Sequence, residues 1–264
     1  MARSNGYILG FATAVCVVCS VFVSGAALSL KDKQEYNADL DLKKNVISVS
    51  GLTQAGALVT ESDVSKYFHN PNAGETSPNR VELGYVDLST GQTVDQATWD
   101  QYDALKEGKC VDLPAKENIA KINCLPKYKK VYTVYQNNTV DRIILDVEGK
   151  GLWSTLKGFL AMSKDGQTIQ GLTFYSHAET PGLGGEVDNP KWKKLWIGEK
   201  AFGGNGPQID IVKGAAPTGN TNDGKIDGLS GATLTSNGVE YLLNFWLGSK
   251  GYGTYLKNIS KGGR

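Results

Sequence analysis

Residues 227–236 read Asp227-Gly-Leu-Ser230-Gly231-Ala232-Thr233-Leu234-Thr235-Ser236 and place four hydroxyl side chains within seven residues. Only glycine, alanine and leucine separate these hydroxyls, so a bulky anion could approach the backbone of this hydroxyl motif closely. The apolar run Val239-Glu-Tyr-Leu-Leu-Asn-Phe-Trp-Leu247 follows and is typical of a helix, whose first amides attract anions. A second interpretation is a turn with Ser236 or Asn237 as the N-cap of that helix.

Two further motifs precede the hydroxyl motif. They are a tryptophan motif, Gly149-Lys-Gly-Leu-Trp153-Ser154, and a glutamate motif, His177-Ala-Glu179-Thr180-Pro-Gly-Leu183-Gly184. The hydroxyl motif resembles the flavinylation motif of FMN-binding domains. The three motifs in this order, after an apolar N-terminal segment, resemble the C-subunit family of the sodium-translocating NADH:quinone oxidoreductases.

The resemblance implies a covalent cofactor. In the family, a dedicated transferase esterifies the motif threonine with the phosphate of FMN, so we expect FMN on Thr233. Thr235 is the nearby competitor, and only the position within the motif decides between the two. An unmodified threonine hydroxyl has no redox chemistry of its own, so the redox function would depend on the attached flavin.

The resemblance also implies which residues surround the flavin. We expect Trp153 to stack on or edge the ring and Lys213 to offset negative charge, although a core tryptophan and a solvated lysine are the alternatives. Asp227 is expected to serve the turn or recognition by the transferase, because a carboxylate beside a phosphate is repulsive. The other expected FMN contacts are Ser230, Gly231, Ala232, Leu234, Thr235, Glu179, Thr180 and Leu183. We expect no catalytic side chain and no metal ligand.

Residues 6–30 form an uncharged segment, longer than the about 20 residues that span a bilayer as a helix. A cleaved signal peptide is the rival interpretation, because Ser24-Gly-Ala26-Ala27 resembles a cleavage site, but the length favours a retained anchor. Basic residues lie near both ends, so charge does not decide the orientation. The resemblance implies a single-pass protein of the bacterial inner membrane with its soluble domain on the periplasmic side.

Composition limits the remaining possibilities. The chain has 264 residues, enough for a sizeable core, and its net charge of +1 gives no reason to expect a nucleic-acid partner. Two histidines, His69 and His177, are too few for a histidine-rich metal site. Cys110 and Cys124 could form a disulfide if the domain is extracytoplasmic.

The hydrophobic pattern predicts strands at 131–135, 142–147, 168–175 and 208–212, with a hairpin at Asn137-Asn138. Residues 189–196 resemble a helix, and the hydroxyl motif leads into the last helix. Residues 43–130 read as short strands and helices with turns at 70–74 and 77–79. These elements predict an α+β fold, in which a single transmembrane helix precedes a mixed, mainly antiparallel sheet domain with helices. The expected domains are 1–35 (anchor and stalk), 36–135 (N-terminal part of the soluble region) and 136–264 (FMN-binding domain).

The resemblance therefore predicts an electron-transfer subunit that carries covalent FMN and passes electrons from NADH oxidation toward ubiquinone, coupled to sodium export. Its expected partners are the other subunits of a membrane complex and, for maturation, the FMN transferase. The sequence has no Rossmann glycine pattern, so we do not expect the subunit to complete the reaction alone. Two alternatives are the flavin subunit of an Rnf-type ferredoxin:NAD oxidoreductase and a membrane-anchored binding module without flavin.

Overall fold

The structure is a computed structural model that describes residues 5–54, 56–68, 77–105, 107–214, 216 and 223–262. Two compact units make up the chain, residues 1–42 and 43–264. His69 and the turn expected at 70–74 lie outside the described residues.

The first unit is helical throughout its described part. Helix α1 (Asn5–Ser50) contains an 18-residue window with a mean hydropathy of 2.2, none of it buried. About 20 apolar residues are needed to span a bilayer, so α1 is long and apolar enough to cross a membrane. The predicted apolar N-terminal helix is confirmed, and the helix continues through residues 31–42.

The strands of the second unit are, in chain order, β1 (Arg80–Asp87), β2 (Thr93–Val94), β3 (Cys110–Val111), β4 (Leu125–Pro126), β5 (Tyr128–Gln136), β6 (Thr139–Lys150), β7 (Thr155–Ser163), β8 (Ile169–Ser176), β9 (Phe202–Gly203), β10 (Gly206–Pro207), β11 (Asp210–Val212) and β12 (Lys225–Asp227). Its helices after the end of α1 are α2 (Glu61–Tyr67), α3 (Gln96–Asp103), α4 (Pro190–Lys194), α5 (Thr233–Leu247) and α6 (Gly253–Ser260), and a 3₁₀ helix covers Gly184–Asp188.

A six-stranded sheet forms the centre of the second unit. Its order is β2-β1-β5-β6-β7-β8, and every neighbouring pair is antiparallel. Two smaller antiparallel pairs, β3–β4 and β9–β10, and the parallel pair β11–β12 complete the strands of the described residues. The predicted α+β fold with a mainly antiparallel sheet is confirmed.

Alternating residues give the sheet two apolar faces. Val131, Leu145, Leu160 and Leu172 lie side by side across four strands and belong to the core that α5 and α6 cover. On the other face, a Cβ on Gly171 would lie 3.3 Å from the Val49 side chain, so the last turn of α1 packs there. Both faces of the central strands are therefore buried.

Local sequence signals agree well with the observed elements. Asn137 and Asn138 have φ angles of 51° and 61°, which suits a two-residue hairpin turn and confirms the predicted hairpin between β5 and β6. The strand predicted at 168–175 corresponds to β8, and the strand predicted at 208–212 is shorter, since β11 begins at Asp210.

Two helix predictions need correction. The helix predicted at 189–196 is limited to α4, with Asn189 as its N-cap. The prediction that α5 is the last helix is wrong, because α6 follows it. Gly251 makes the tight connection possible: a Cβ there would lie 2.3 Å from the Trp246 carbonyl oxygen. This close approach involves folded backbone and cannot be read from hydrophobic periodicity.

A disulfide joins Cys110 to Cys124. The loop that it closes contacts the end of β6, where the Lys150 amide donates to the Ala120 carbonyl oxygen at 2.8 Å. The domain boundary predicted between residues 135 and 136 falls within β5, and strands from both sides of it pair in the same sheet.

Candidate functional site

The hydroxyl motif runs from the end of β12 to the first turn of α5. Gly231 adopts a φ of +70°, a conformation that favours glycine, and turns the chain towards the helix. Ala232 is buried and occupies the N-cap position, where no side chain provides a capping hydrogen bond. The first amides of α5 therefore lack a side-chain cap, as expected of a helix end that receives an anion.

The capping interpretation of the motif is wrong. Helix α5 begins at Thr233, so Ser236 and Asn237 lie inside the helix rather than at its N-cap. The Ser236 hydroxyl accepts a hydrogen bond from the Leu229 amide at 3.0 Å and so holds the preceding turn against the helix.

A cleft of about 630 Å³ opens beside this turn. Its lining includes Lys213, Ser230, Gly231 and Thr233. All four are predicted site residues, and all four are exposed. A cation, a hydroxyl group, backbone without Cβ and an uncapped helix N-terminus are groups that commonly hold a phosphate.

Asp227 also lines the cleft, but it is engaged in the fold. Its carboxylate accepts a hydrogen bond from the Ala216 amide at 2.6 Å, and its carbonyl oxygen accepts one from the Trp192 indole at 2.8 Å. These contacts hold the end of β12 and agree with a role of Asp227 in the turn.

One buried carboxylate joins the three motifs. Glu179 is 4% exposed. Its Oε1 accepts hydrogen bonds from the Trp153 amide at 3.0 Å, the Ser154 amide at 3.1 Å and the Ser154 hydroxyl at 3.2 Å. Its Oε2 accepts from the Thr235 hydroxyl at 2.7 Å and from the Leu152 amide at 3.2 Å. Residues far apart in sequence are thereby brought to one place.

Glycines permit this close approach. A Cβ on Gly184 would lie 2.5 Å from the Thr235 hydroxyl oxygen, and one on Gly238 would lie 2.6 Å from the Lys150 carbonyl oxygen. Both distances are too short for a carbon atom. These segments can therefore pack this closely only because Gly184 and Gly238 have no Cβ.

The two candidate threonines differ in access. Thr235 is fully buried and donates its hydroxyl to Glu179. Thr233 is exposed and lines the cleft at the start of α5. The structure thus supplies a physical difference that the sequence motif alone does not.

Comparisons with known proteins agree with this geometry. The FMN-binding domain family matches residues 151–248, which contain most of the tryptophan motif and all of the other two. The C-subunit of the Na(+)-translocating NADH-quinone reductase of Pseudomonas aeruginosa is 43% identical over 257 residues, covering 95% of this chain and 94% of the relative. The corresponding protein of Yersinia pestis is 41% identical over 253 residues, covering 94% and 90%.

The chain belongs to the C-subunit family of the Na(+)-translocating NADH-quinone reductases. Among solved structures, NqrC of Shewanella oneidensis has a TM-score of 0.69 and 27% identity, covering 84% of this chain and 97% of that one. The C-subunit from Parabacteroides distasonis, with a TM-score of 0.61 and 22% identity, covers 86% and 96% and shares the fold.

The remaining predicted site residues of this C-subunit family member lie in the same motifs. Trp153 is 67% exposed, so its interpretation as a core tryptophan is wrong. Leu183 lies against the motif turn, since a Cβ on Gly231 would be 3.0 Å from its Cδ2. Leu234 is 61% exposed, and Thr180 is exposed with its carbonyl oxygen bonded to the Leu183 amide at 3.1 Å.

Ser154 is a polar residue of the site that the sequence did not reveal. Besides donating to Glu179, its hydroxyl accepts a hydrogen bond from the Ala178 amide at 2.8 Å. Its place directly after Trp153 in the motif was the only signal in the sequence, and it does not reveal partners more than twenty residues away.

The charge of Glu179 is stabilised despite its burial. Burial alone would raise the pKa of this carboxyl, but hydrogen bonds from the Thr235 hydroxyl and from three backbone amides outweigh it. They hold the pKa of Glu179 below its ordinary value of 4.5. Glu179 is therefore a fixed anion at neutral pH.

Glu179 should make the free energy of unfolding depend on pH in the acidic range. Because the pKa is lower in the folded than in the unfolded protein, ionised Glu179 contributes stability above pH 4.5, which is lost as the pH falls through the folded value. At neutral pH we expect Glu179→Gln to be less stable than the wild type, and the difference should shrink below pH 4.5. Urea unfolding at a series of pH values measures this. A difference independent of pH would contradict the assignment.

Proposed function

We propose that this chain is the flavin-carrying electron-transfer subunit of a sodium-translocating NADH:quinone oxidoreductase, with FMN attached through a phosphoester to Thr233. The observation that most strongly supports attachment at Thr233 is the difference in solvent access between the two threonines. Thr233 is exposed at the cleft, whereas the Thr235 hydroxyl is buried and donated to Glu179.

The chain's own residues fit a phosphate at Thr233. The uncapped amides at the start of α5 and the Lys213 ammonium group, which lines the same cleft, would offset its charge. Ser230 offers a hydroxyl, and Gly231 leaves its side of the turn free of Cβ. Asp227 is the one carboxylate among the described lining residues, and its bond to Ala216 engages one of its oxygens.

The ring of the flavin would lie against the exposed apolar side chains of the motifs. Trp153, Leu183 and Leu234 are all exposed to solvent, although each is a residue that proteins commonly bury. An aromatic contact with Trp153 would add about 0.5–1.5 kcal/mol beyond area burial. When bound, FMN supplies the redox chemistry, and the protein supplies its position and electrostatic surroundings.

The covalent bond implies a fixed electron carrier. Electrons from NADH oxidation on another subunit would reach the flavin here and continue toward quinone, while sodium transport would belong to the whole assembly. An FMN transferase is the proposed partner in maturation. The family membership favours this function over an Rnf-type flavin subunit and over a binding module without flavin.

A redox titration of the purified full chain tests this function. Protein made with the cognate transferase should show reversible flavin absorbance changes. It should oxidise NADH very slowly, because the sequence has no recognisable dinucleotide motif. Rapid NADH:quinone turnover by the chain alone would contradict the proposal, as would protein that carries no flavin after co-expression with the transferase.

We also propose that α1 is retained as an inner-membrane anchor and that the soluble domain is periplasmic. The disulfide between Cys110 and Cys124 supports this placement, because disulfides persist in oxidising compartments.

Protease added to cells with a permeabilised outer membrane and an intact inner membrane should therefore digest the soluble domain. Peptide mapping of the mature protein should recover residues before Ala27. A mature N-terminus near Ala27 would identify a signal peptide instead, and digestion only after the inner membrane is opened would contradict the periplasmic placement.

A further inference from the structure

The hydrogen bonds of Glu179 leave little room for a bond to a cofactor. An ionised carboxylate offers about four acceptor sites, and five protein donors already point at this one. The side chain is also buried, and it is absent from the lining of the cleft beside Thr233.

Those donors come from two segments that flank the site. Three are the consecutive amides of Leu152, Trp153 and Ser154, in the loop 151–154 that joins β6 to β7. The Thr235 hydroxyl belongs to the first turn of α5, two residues after Thr233. Glu179 is thus hydrogen-bonded both to the loop that carries Trp153 and to the helical turn that carries Thr233.

We propose that Glu179 is a positioning residue of the flavin site: its carboxylate fixes the Trp153 loop against the first turn of α5 and so sets the indole relative to a flavin on Thr233. This inference rests on the proposed function for its flavin readout. The negative charge matters because consecutive amides that converge on one place favour an anionic acceptor, and hydrogen bonds to charged groups are the stronger ones.

Glutamine cannot replace the carboxylate fully. Its amide has nearly the same shape, but one oxygen replaces two, and its NH2 group faces donors that it cannot bond. Glu179→Gln should therefore loosen the loop without changing the volume of the core. Glu186→Gln is a matched control, because Glu186 lies in the neighbouring 3₁₀ helix and its carboxylate accepts from the Asn189 side chain instead.

The first experiment does not depend on the flavin. Amide hydrogen exchange is measured on the full chain made without the transferase. Residues 152–154 should exchange roughly tenfold or more faster in Glu179→Gln than in the wild type, as expected for lost hydrogen bonds to a charged group. Thr235→Val should act in the same direction by a smaller factor, and Glu186→Gln should leave this loop unchanged. Unchanged exchange of the loop in both Glu179→Gln and Thr235→Val would overturn the proposal.

The second experiment separates positioning from general stability. In full chain carrying flavin, Glu179→Gln should raise flavin fluorescence and lower its anisotropy, because the indole no longer holds its place beside the ring. In a Trp153→Leu background, the same substitution should have little additional effect, since residues acting through one contact are not additive. An equal effect in both backgrounds would show that Glu179 does not act through Trp153. Absence of flavin from the wild-type chain would contradict the proposed function and leave the exchange experiment as the test of Glu179.

Discussion

Thr233→Ala is expected to abolish covalent flavin and, with it, electron flow to quinone in the assembled complex. The substitution removes the only exposed threonine hydroxyl of the hydroxyl motif. It should leave the fold intact, because Thr233 is exposed and does not belong to the described hydrophobic core. Flavin fluorescence on a denaturing gel and NADH:quinone activity of membranes measure the two effects. NADH oxidation by artificial acceptors should persist, because the proposed function assigns this step to another subunit.

Thr235→Ser is the matched control for this loss. It keeps a hydroxyl that can donate to Glu179, so the variant should retain both fluorescence and quinone reduction. Flavin fluorescence that persists in Thr233→Ala but is lost in Thr235→Ala would indicate that the flavin is attached to Thr235. Normal quinone reduction by the Thr233→Ala complex would show that electron flow to quinone does not require a flavin on this subunit.

Trp246→Ala is expected to cause the largest loss of stability. Trp246 is fully buried, its indole nitrogen donates to the Glu148 carbonyl oxygen at 2.6 Å, and its ring packs near Phe245 and Tyr252. Removing a buried tryptophan costs about 3–5 kcal/mol, because apolar contacts are lost and a cavity remains. Urea unfolding of the detergent-solubilised full chain, followed by near-ultraviolet circular dichroism, measures the free energy of unfolding.

Trp153→Ala provides the comparison. Because Trp153 is largely exposed, its replacement in protein without flavin should change the free energy of unfolding by no more than about 0.5 kcal/mol. Equal costs for the two tryptophans would contradict the placement of Trp246 in the core and of Trp153 at the surface.

The sequence predicted those parts of the fold that local patterns control. The paired asparagines at 137 and 138 favour a left-handed turn by themselves, and the strands around them alternate regularly. The apolar segment at 6–30 is long enough to be read as a helix without tertiary information. By contrast, α6 depends on the close approach of Gly251 to the backbone at Trp246, a contact of the folded chain.

The sequence predicted which motifs form the candidate site, but not the contacts between their residues. The resemblance brought the three motifs together, and the structure places them in contact. The sequence could not distinguish the solvent access of Thr233 from that of Thr235. This difference arises from the hydrogen bond between Thr235 and Glu179, which are 56 residues apart. The role of Glu179 was hidden for the same reason. A carboxylate beside residues that are expected to bind flavin is itself predicted to be a ligand, as long as its own hydrogen-bond donors are unknown.

Peptide mapping of the native, full-length protein by mass spectrometry tests the central claim most directly. We expect one FMN phosphoester on the peptide that contains the hydroxyl motif, with fragment ions assigning it to Thr233 and leaving Thr235 unmodified. An unmodified peptide from protein made with the cognate transferase, or fragment ions that assign the flavin to Thr235, would contradict it.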